Sequence, residues 1–582
     1  MKKITSFLLV FLFSIFFVGC TEKEDDIEKT LKEMTSLEVT ELMGNGINLG
    51  NTMEAYGRAT VGITGDVSQY ETAWGQPVTT KEMIKGMKEA GFDTLRIPVA
   101  WTNTIDYKNG NYDINPAYLK RVAEITDYAL EEDMFVIINE HWSGGWWGMF
   151  GSSDQNLRKV ANDLYISMWT QIGNHFKDYS YRLIFESANE ELGLRLNDEI
   201  DGVPGVLTDD ETYSETNRIN QLFVDTIRNL GSKNSDRFLL IAGYNTDINR
   251  TLDERFQMPT DTAEAKLLLS VHYYDPSDYT LQSVSTWGTE DDFVYQNEKF
   301  ASLEKFIEAG YGIIIGEYGV LPTPDDKIKS NIIDYTKNLL DNCDLYGYVP
   351  VLWDTSTFFI RKDLEMYDEE FAELFASRSY AVQKDISKEE VKNAAQASLD
   401  EALAAAQQRD IDSGYADFKN KAIAWIMFAS SDWGINYSVG DEYKPRSRTD
   451  GVTGTDVTIE AVGEFTVALD FTGSGAGSAN SVGFMALAIY NGEKFYPDHI
   501  IEIKELKFND EIYDIKNKIY YTTSDDQNTT RVNIYNVWVT KVPEDARVLN
   551  PRLQNYATPV IIDPEKLSEI RTVEITFVFK AR

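Results

Sequence analysis

The sequence predicts an α/β chain: a (β/α)8 barrel, then a helical connector, then an antiparallel β-sandwich. Three observations predict it. Between about residues 44 and 356, short apolar runs alternate with amphipathic stretches, the order expected of βα units that build a parallel sheet. Eight such runs are present, enough to close a barrel. Beyond about residue 416 the hydrophobic period drops to two.

The eight runs fall at 46–49, 94–97, 135–138, 183–186, 238–241, 267–271, 312–315 and 349–352. Helical patterns lie between them at 80–90, 116–131, 157–176, 215–230, 298–309 and 328–340. An open doubly wound sheet is the alternative, but no GxGxxG turn follows the first run. Ser387 and Glu390 open a capping box, with Val391, Ala394, Ala395, Leu399, Ala402 and Leu403 following at helical spacing. Further on, Phe465, Val467, Leu469 and Phe471 alternate with polar residues, as do Val573, Ile575, Phe577 and Phe579. Loops such as Gly473-Ser474-Gly475-Ala476-Gly477-Ser478 punctuate the strands, which gives the sandwich.

The chain begins with a basic Met1-Lys2-Lys3, an apolar run over 4–18, and Gly19-Cys20 ahead of a polar stretch. This reads as an export signal, too short to span a membrane as a helix. The small residue before Cys20 resembles the bacterial lipobox, which implies that Cys20 is lipidated and that the protein sits on the outer side of the cell envelope. The organisation is therefore a lipoprotein signal peptide at 1–20, a tether at 21–35, the barrel at 36–380, the connector at 381–415 and the sandwich at 416–582. With Cys20 lipidated, Cys343 has no partner, so stability must come from core burial rather than a disulfide framework.

Composition narrows the function. Hydrophobic residues make up 43% of the chain, which is globular rather than disordered. Lys and Arg number 55 against 94 Asp and Glu, a net charge of −39 that repels phosphate backbones and disfavours nucleic-acid binding. Eleven Trp and 32 Tyr are expected to fill the core for the most part and to leave a surplus for stacking platforms. With only four His, and no HxH, HExxH, CxxC or GxSxG pattern, neither a zinc hydrolase nor a Ser-His-Asp hydrolase is expected. No metal and no cofactor are expected, and the chain is expected to act as a monomer.

The polar groups that end the apolar runs carry the chemistry. Arg96 lies in the second run, His141 follows the third, Asn189 and Glu190 the fourth, His272 and Tyr274 the sixth, Glu317 the seventh and Trp353 the eighth. In a barrel these positions converge on one mouth. Two glutamates from different strands suit double-displacement hydrolysis of a glycosidic bond: one protonates the departing oxygen, the other attacks the sugar carbon. Arg96 is expected to keep Glu317 ionised, and that charge to raise the pKa of Glu190.

These residues resemble glycoside hydrolase family 5, the retaining cellulase-type enzymes, over about residues 36 to 380. The resemblance is carried by Gly46-Ile47-Asn48-Leu49-Gly50-Asn51-Thr52, Thr94-Leu95-Arg96-Ile97-Pro98-Val99-Ala100-Trp101, Val136-Ile137-Ile138-Asn139-Glu140-His141-Trp142, Phe185-Glu186-Ser187-Ala188-Asn189-Glu190, Val271-His272-Tyr273-Tyr274 and Ile315-Gly316-Glu317-Tyr318-Gly319. It implies that Glu190 is the acid/base and Glu317 the nucleophile. It also implies that Arg96 orients Glu317, Asn189 binds the sugar 2-hydroxyl, His141, His272 and Tyr274 line the reacting subsite, Trp353 stacks beneath the sugar and Asn51 contacts the glycone. The chain departs from the family in carrying His141-Trp142 for His-His and Asn189-Glu190-Glu191 for Asn-Glu-Pro. Trp142, Trp146 and Trp147 follow the third strand, either as exposed platforms for sugar or with two of the three plugging the barrel rim.

The Asn48-to-Thr52 motif resembles the endoglucanase and xyloglucanase branch. The expected function is a retaining endo-β-1,4-glucanase acting on plant β-glucans of the cellulose, xyloglucan or mixed-linkage type. The alternatives are a β-mannanase of the same fold and a non-catalytic surface glycan-binding protein; retention of both glutamates and Arg96 argues against the latter. In the tail, Trp425, Trp433, Tyr437, Tyr443, Tyr535 and Trp538 supply a sugar-stacking strip if they are exposed, and a structural core if they are not.

Overall fold

A computed structural model describes residues 20–281, 287–321, 329, 331–413, 415–437, 449–524, 528–539, 542–548 and 561–582. The chain divides into two compact units, Met1–Ala406 and Gln407–Arg582. The export signal and Tyr443 lie outside the described residues, as does the side chain of Cys20.

In the first unit β1 (Asn45–Asn48), β2 (Phe92–Ile97), β3 (Phe135–Asn139), β4 (Leu183–Glu186), β5 (Leu239–Asp247), β6 (Leu267–Tyr273), β7 (Gly312–Tyr318) and β8 (Val349–Leu352) pair in parallel, in chain order, into a closed barrel. Seven of these strands are buried throughout, and β5 all but its end, because helices cover the outside and side chains fill the inside; they therefore read as apolar runs rather than alternations.

The intervening helices start where capping chemistry allows. Asn115 caps Pro116–Glu131, with Pro at the first helical position, and Thr80 caps Lys81–Glu89. Two helices begin earlier than the apolar pattern predicts: Asp209–Arg228 behind a Thr208/Glu211 capping box, and Glu290–Ala301 behind a Thr289/Asp292 box. Their first turns are acidic, which suits the helix dipole but carries no apolar signal.

Inward-facing positions climb from apolar at the base to polar at the mouth. Ile137, Ile184, Leu240, Leu268, Ile314 and Val351 pack with Val39 and Met43 of α2 (Ser36–Met43), which closes the base. The stretch 21–35, expected as a tether, is instead mostly helical: α1 spans Cys20–Glu33. Its second half docks on the barrel, with Leu31 buried and Glu28 ion-paired to Lys233 at 2.6 Å. Lys266 Nζ donates to the carbonyls of Lys32 (2.7 Å) and Met34, fixing the segment between α1 and α2. Among the described residues, no helix is long and apolar enough to cross a membrane.

Helix Lys388–Ser413, opened by the Ser387/Glu390 box, runs across the division between the units. The second unit holds two five-stranded antiparallel sheets sharing one core. One is built on Ile423–Ala429, Phe484–Tyr490 and Thr530–Asn536, the other on Gly463–Asp470, Thr572–Ala581 and His499–Phe508. Of the tail aromatics, Trp425 and Tyr437 are buried and Tyr535 packs against the core, whereas Trp433 and Trp538 are exposed.

Candidate active site

The register of the barrel slips where the polar residues gather. The β6/β7 pairing shifts between Val271 and His272, and the β7/β8 pairing shifts between Ile315 and Tyr318. Such bulges re-aim side chains, and here they set His272 opposite Glu317. Gly316 is required by the same crowding, since a Cβ there would lie 2.9 Å from Ser270 Oγ and 3.2 Å from His272 Nε2.

Arg96, fully buried on β2, organises the mouth. Its Nε donates to Glu186 Oε2 (2.8 Å), Nη1 to Asn48 Oδ1 and Glu317 Oε1 (both 2.9 Å), and Nη2 to Asn189 Oδ1 (2.8 Å). Asn48 is itself fixed, donating to the Gly316 carbonyl at 2.9 Å, and Ser270 Oγ donates to Glu186 Oε1 at 2.7 Å. A guanidinium so surrounded stays charged, and every partner it holds is oriented by its planar fork.

Glu317 Oε2 accepts the Tyr274 hydroxyl at 3.1 Å and lies 3.6 Å from His272 Nδ1. That same nitrogen is 3.1 Å from Glu190 Oε1. Ligand atoms of Glu190, His272 and Glu317 all fall within 4.8 Å of one another. That spacing is small enough for a metal ion, but Arg96 and Tyr274 already occupy both oxygens of Glu317, and the pattern is that of a hydrogen-bonded carboxylate pair.

Burial pushes Glu317 above its ordinary value, against the pull of His272 and Arg96. Burial acts on Glu190 in the same direction, but the hydrogen bond and charge of His272 outweigh it and hold Glu190 below its ordinary value. Both directions run opposite to the sequence expectation that Arg96 lowers Glu317 and Glu317 raises Glu190. The causes are the fuller enclosure of Glu317 and the closer approach of His272 to the half-open Glu190. Two carboxyls this close titrate as a pair.

His141 lies between Asn139 Nδ2, 3.4 Å from its Nδ1, and the indole of Trp353, stacked at 5.9 Å between ring centres with 10° between planes. Burial, with the Arg96 charge next, holds His141 well below the usual imidazole range. Trp353 leaves β8 with its N–H on the Tyr318 carbonyl at 2.8 Å. Trp142 is half-buried, edge-on to Tyr56. Asn51 stands on the turn after β1 at φ 57°, with its N–H bonded to Glu54.

Trp146 and Trp147 are buried and stacked on each other at 4.6 Å, so they fill the rim rather than offer a sugar platform. The physical reason is Glu140, which accepts from Trp146 Nε1 (2.9 Å), Ser143 Oγ (2.5 Å) and the Trp101 N–H (3.3 Å) and draws the loop inward. Glu186, Glu140 and Glu191 are the supporting residues that sequence reasoning misses. Glu186 carries a readable signal, a carboxylate at the end of an inward-facing apolar run. Glu191, at the position where the family motif has Pro, is buried, accepts the Asn189 N–H at 3.0 Å and has no partner for Oε1 among the described residues. Burial raises it well above the carboxylate range, with Glu190 adding to the effect.

Burial also lifts Glu140 to about 8 and Glu54 to about 7. As pH rises above the ordinary value of 4.5, the unfolded chain releases these protons while the folded barrel keeps them, so folding becomes less favourable until about pH 8. The barrel should therefore melt at a lower temperature at about pH 8 than at about pH 5, a loss on the order of a few kcal/mol. A flat or rising melting temperature over that range would contradict two buried neutral acids.

Residues 53–358 match the family described as Cellulase (glycosyl hydrolase family 5). The chain is 34% identical over 384 residues to Endoglucanase A of Paenibacillus barcinonensis, spanning 60% of this chain and 90% of that one. Among solved structures, a broad-specificity endoglucanase from Ruminococcus champanellensis with bound cellotriose matches with a TM-score of 0.51 at 28% identity, over 59% of this chain and 99% of that one. The Bacteroides ovatus GH5 xyloglucanase in complex with a XXXG heptasaccharide matches with a TM-score of 0.51 at 31% identity, over 59% and 76%.

Proposed function

The chain belongs to glycosyl hydrolase family 5, and from that membership we infer that its barrel mouth is the site of a retaining endo-β-1,4-glucanase acting on plant β-glucans. The observation that carries this reading is the approach of the Glu190 and Glu317 carboxyl oxygens, from the ends of β4 and β7, to within 4.8 Å. Retaining enzymes hold the two carboxyls about 5 Å apart, leaving no room for a water between nucleophile and sugar.

The reaction starts from the form of the pair in which Glu317 is ionised and Glu190 protonated: in the first step the Glu317 carboxylate forms a bond to the anomeric carbon as the glycosidic C–O bond breaks, and Glu190 gives its proton to the departing oxygen. In the second, Glu190 takes a proton from water, the oxygen attacks the same carbon, and the ester to Glu317 breaks. Arg96 and the Tyr274 hydroxyl orient the nucleophile. Arg96 also holds the Asn189 carbonyl oxygen, which turns the amide N–H groups of Asn189 towards the sugar 2-hydroxyl. The parallel His141 and Trp353 rings form the wall on which the sugar at the reacting subsite rests. Trp142 and Asn51 extend the binding surface.

Proton NMR of a glucan digest should show the β-anomer first, with the α-anomer growing in only by mutarotation; an initial α-product would overturn the retaining reading. Reducing-sugar release from carboxymethylcellulose, xyloglucan, mixed-linkage glucan and galactomannan ranks the substrates, and release mainly from galactomannan would replace the glucan with a mannan. The basic start, the apolar run over 4–18 and Gly19-Cys20 support export with a lipid on Cys20, and on that reading a Cys20→Ala variant should move from the membrane fraction to the soluble one.

A further inference from the structure

Among the described residues of the second unit, two indoles stand open to solvent: Trp433 at 50% exposure and Trp538 at 57%. Their ring centres lie 5.8 Å apart with 34° between planes. They leave the same end of one sheet, where Phe484 pairs with Ala429 on one side and Asn536 on the other, and Phe484 packs beside Trp538 at 6.2 Å.

Neither indole is on a loose loop. The Trp433 turn is closed by the Ser430 N–H on the Ile435 carbonyl (2.8 Å) and the Trp433 N–H on the Ser430 carbonyl (3.0 Å). Within it Asp432 Oδ1 accepts from Ser430 Oγ (2.6 Å) and the Gly434 N–H (3.1 Å). The Ser431 N–H donates to Ser481 Oγ at 3.1 Å, tying the turn to the neighbouring loop. Trp433 is held at φ 58°, a left-handed conformation that a bulky residue rarely adopts. The Trp538 N–H donates to Asn536 Oδ1 at 3.1 Å, and Asn536 Nδ2 to Asn533 Oδ1 at 3.1 Å.

An exposed aromatic pair, rigidly held, strained at one member and bordered by Ser431, Asp432 and Ser481, matches the two-sided chemistry of a pyranose: C–H groups against the indole faces, hydroxyls towards the polar rim. The spacing of the rings is about the advance of one residue along a β-1,4-linked chain. The Asp432 carboxylate beside Trp433 disfavours a polyanion there. We propose that Trp433 and Trp538 form a stacking platform on the C-terminal unit that holds a β-linked glucan. The choice of glucan rests on the function proposed for the barrel; the platform itself rests on the geometry of the two indoles.

The test is affinity electrophoresis of the full chain carrying Glu317→Gln, so that the polysaccharide survives the run, in gels containing xyloglucan, mixed-linkage glucan or galactomannan. Adding Trp433→Ala and Trp538→Ala together should weaken retardation by a glucan about tenfold. The same pair placed in the active enzyme should leave turnover of a short soluble oligosaccharide unchanged, which separates this platform from the barrel mouth. Trp538→Ala alone, which leaves the Trp433 turn intact, should give part of the loss. Equal retardation of parent and double variant, or no retardation of the parent by any of the three, would overturn the platform. Retardation by galactomannan alone, lost in the double variant, would overturn the glucan as its ligand. Hydrolysis by the wild-type chain is scored separately, so failure of the barrel reading is distinguishable from failure of this one.

Discussion

Glu317→Gln should reduce turnover of a soluble β-glucan by about four orders of magnitude or more while leaving the melting temperature close to that of the parent. An amide cannot form the glycosyl ester, so the two-step route closes, and the residual rate comes from whatever binding and the remaining groups supply. Stability is spared for a geometric reason: Gln matches Glu in size, and the variant leaves Arg96 paired with Glu186 and still bonded to Asn48 and Asn189. A variant that folds and retains substantial activity would remove Glu317 from the reaction.

Glu190→Gln should behave differently, and the difference identifies its role. On glucans, whose departing sugar oxygen needs a proton, kcat should fall by about 10² to 10⁴. On an aryl glucoside whose phenolate departs unassisted, the first step should stay near the parent rate. The second step still lacks its base, so the glycosyl-enzyme should accumulate and appear as a burst of phenolate. Equal losses on both substrates, with no burst, would mean that Glu190 acts through structure rather than through proton transfer.

Much of this arrangement is legible in the chain before it folds. Parallel strands covered on both faces must be apolar throughout, so the eight runs announce themselves, and the polar residue ending each run marks the mouth. What escapes has physical causes. The helices starting at Asp209 and Glu290 begin with acidic turns that face water, and only their capping boxes betray them. The inward turn of Trp146 and Trp147 depends on Glu140, whose buried position no periodicity reveals. The opposite shifts of Glu190 and Glu317 hang on their unequal enclosure and on 3.1 Å against 3.6 Å from one His272 nitrogen, a difference set by a register slip in β6 and β7. In the second unit, alternation identifies strands but does not separate the buried Trp425 from the exposed Trp433.

The docking of α1 and α2 under the barrel gives the domain a polarity that matters wherever the N-terminus is held. All eight strands run away from the base where those helices sit, so the chain enters at one pole and the paired glutamates open at the other. A barrel fastened to an envelope through the lipid proposed for Cys20 would stand like a cup on its foot, rim outward, and a polymer too large to approach the surface closely could still be threaded across the rim.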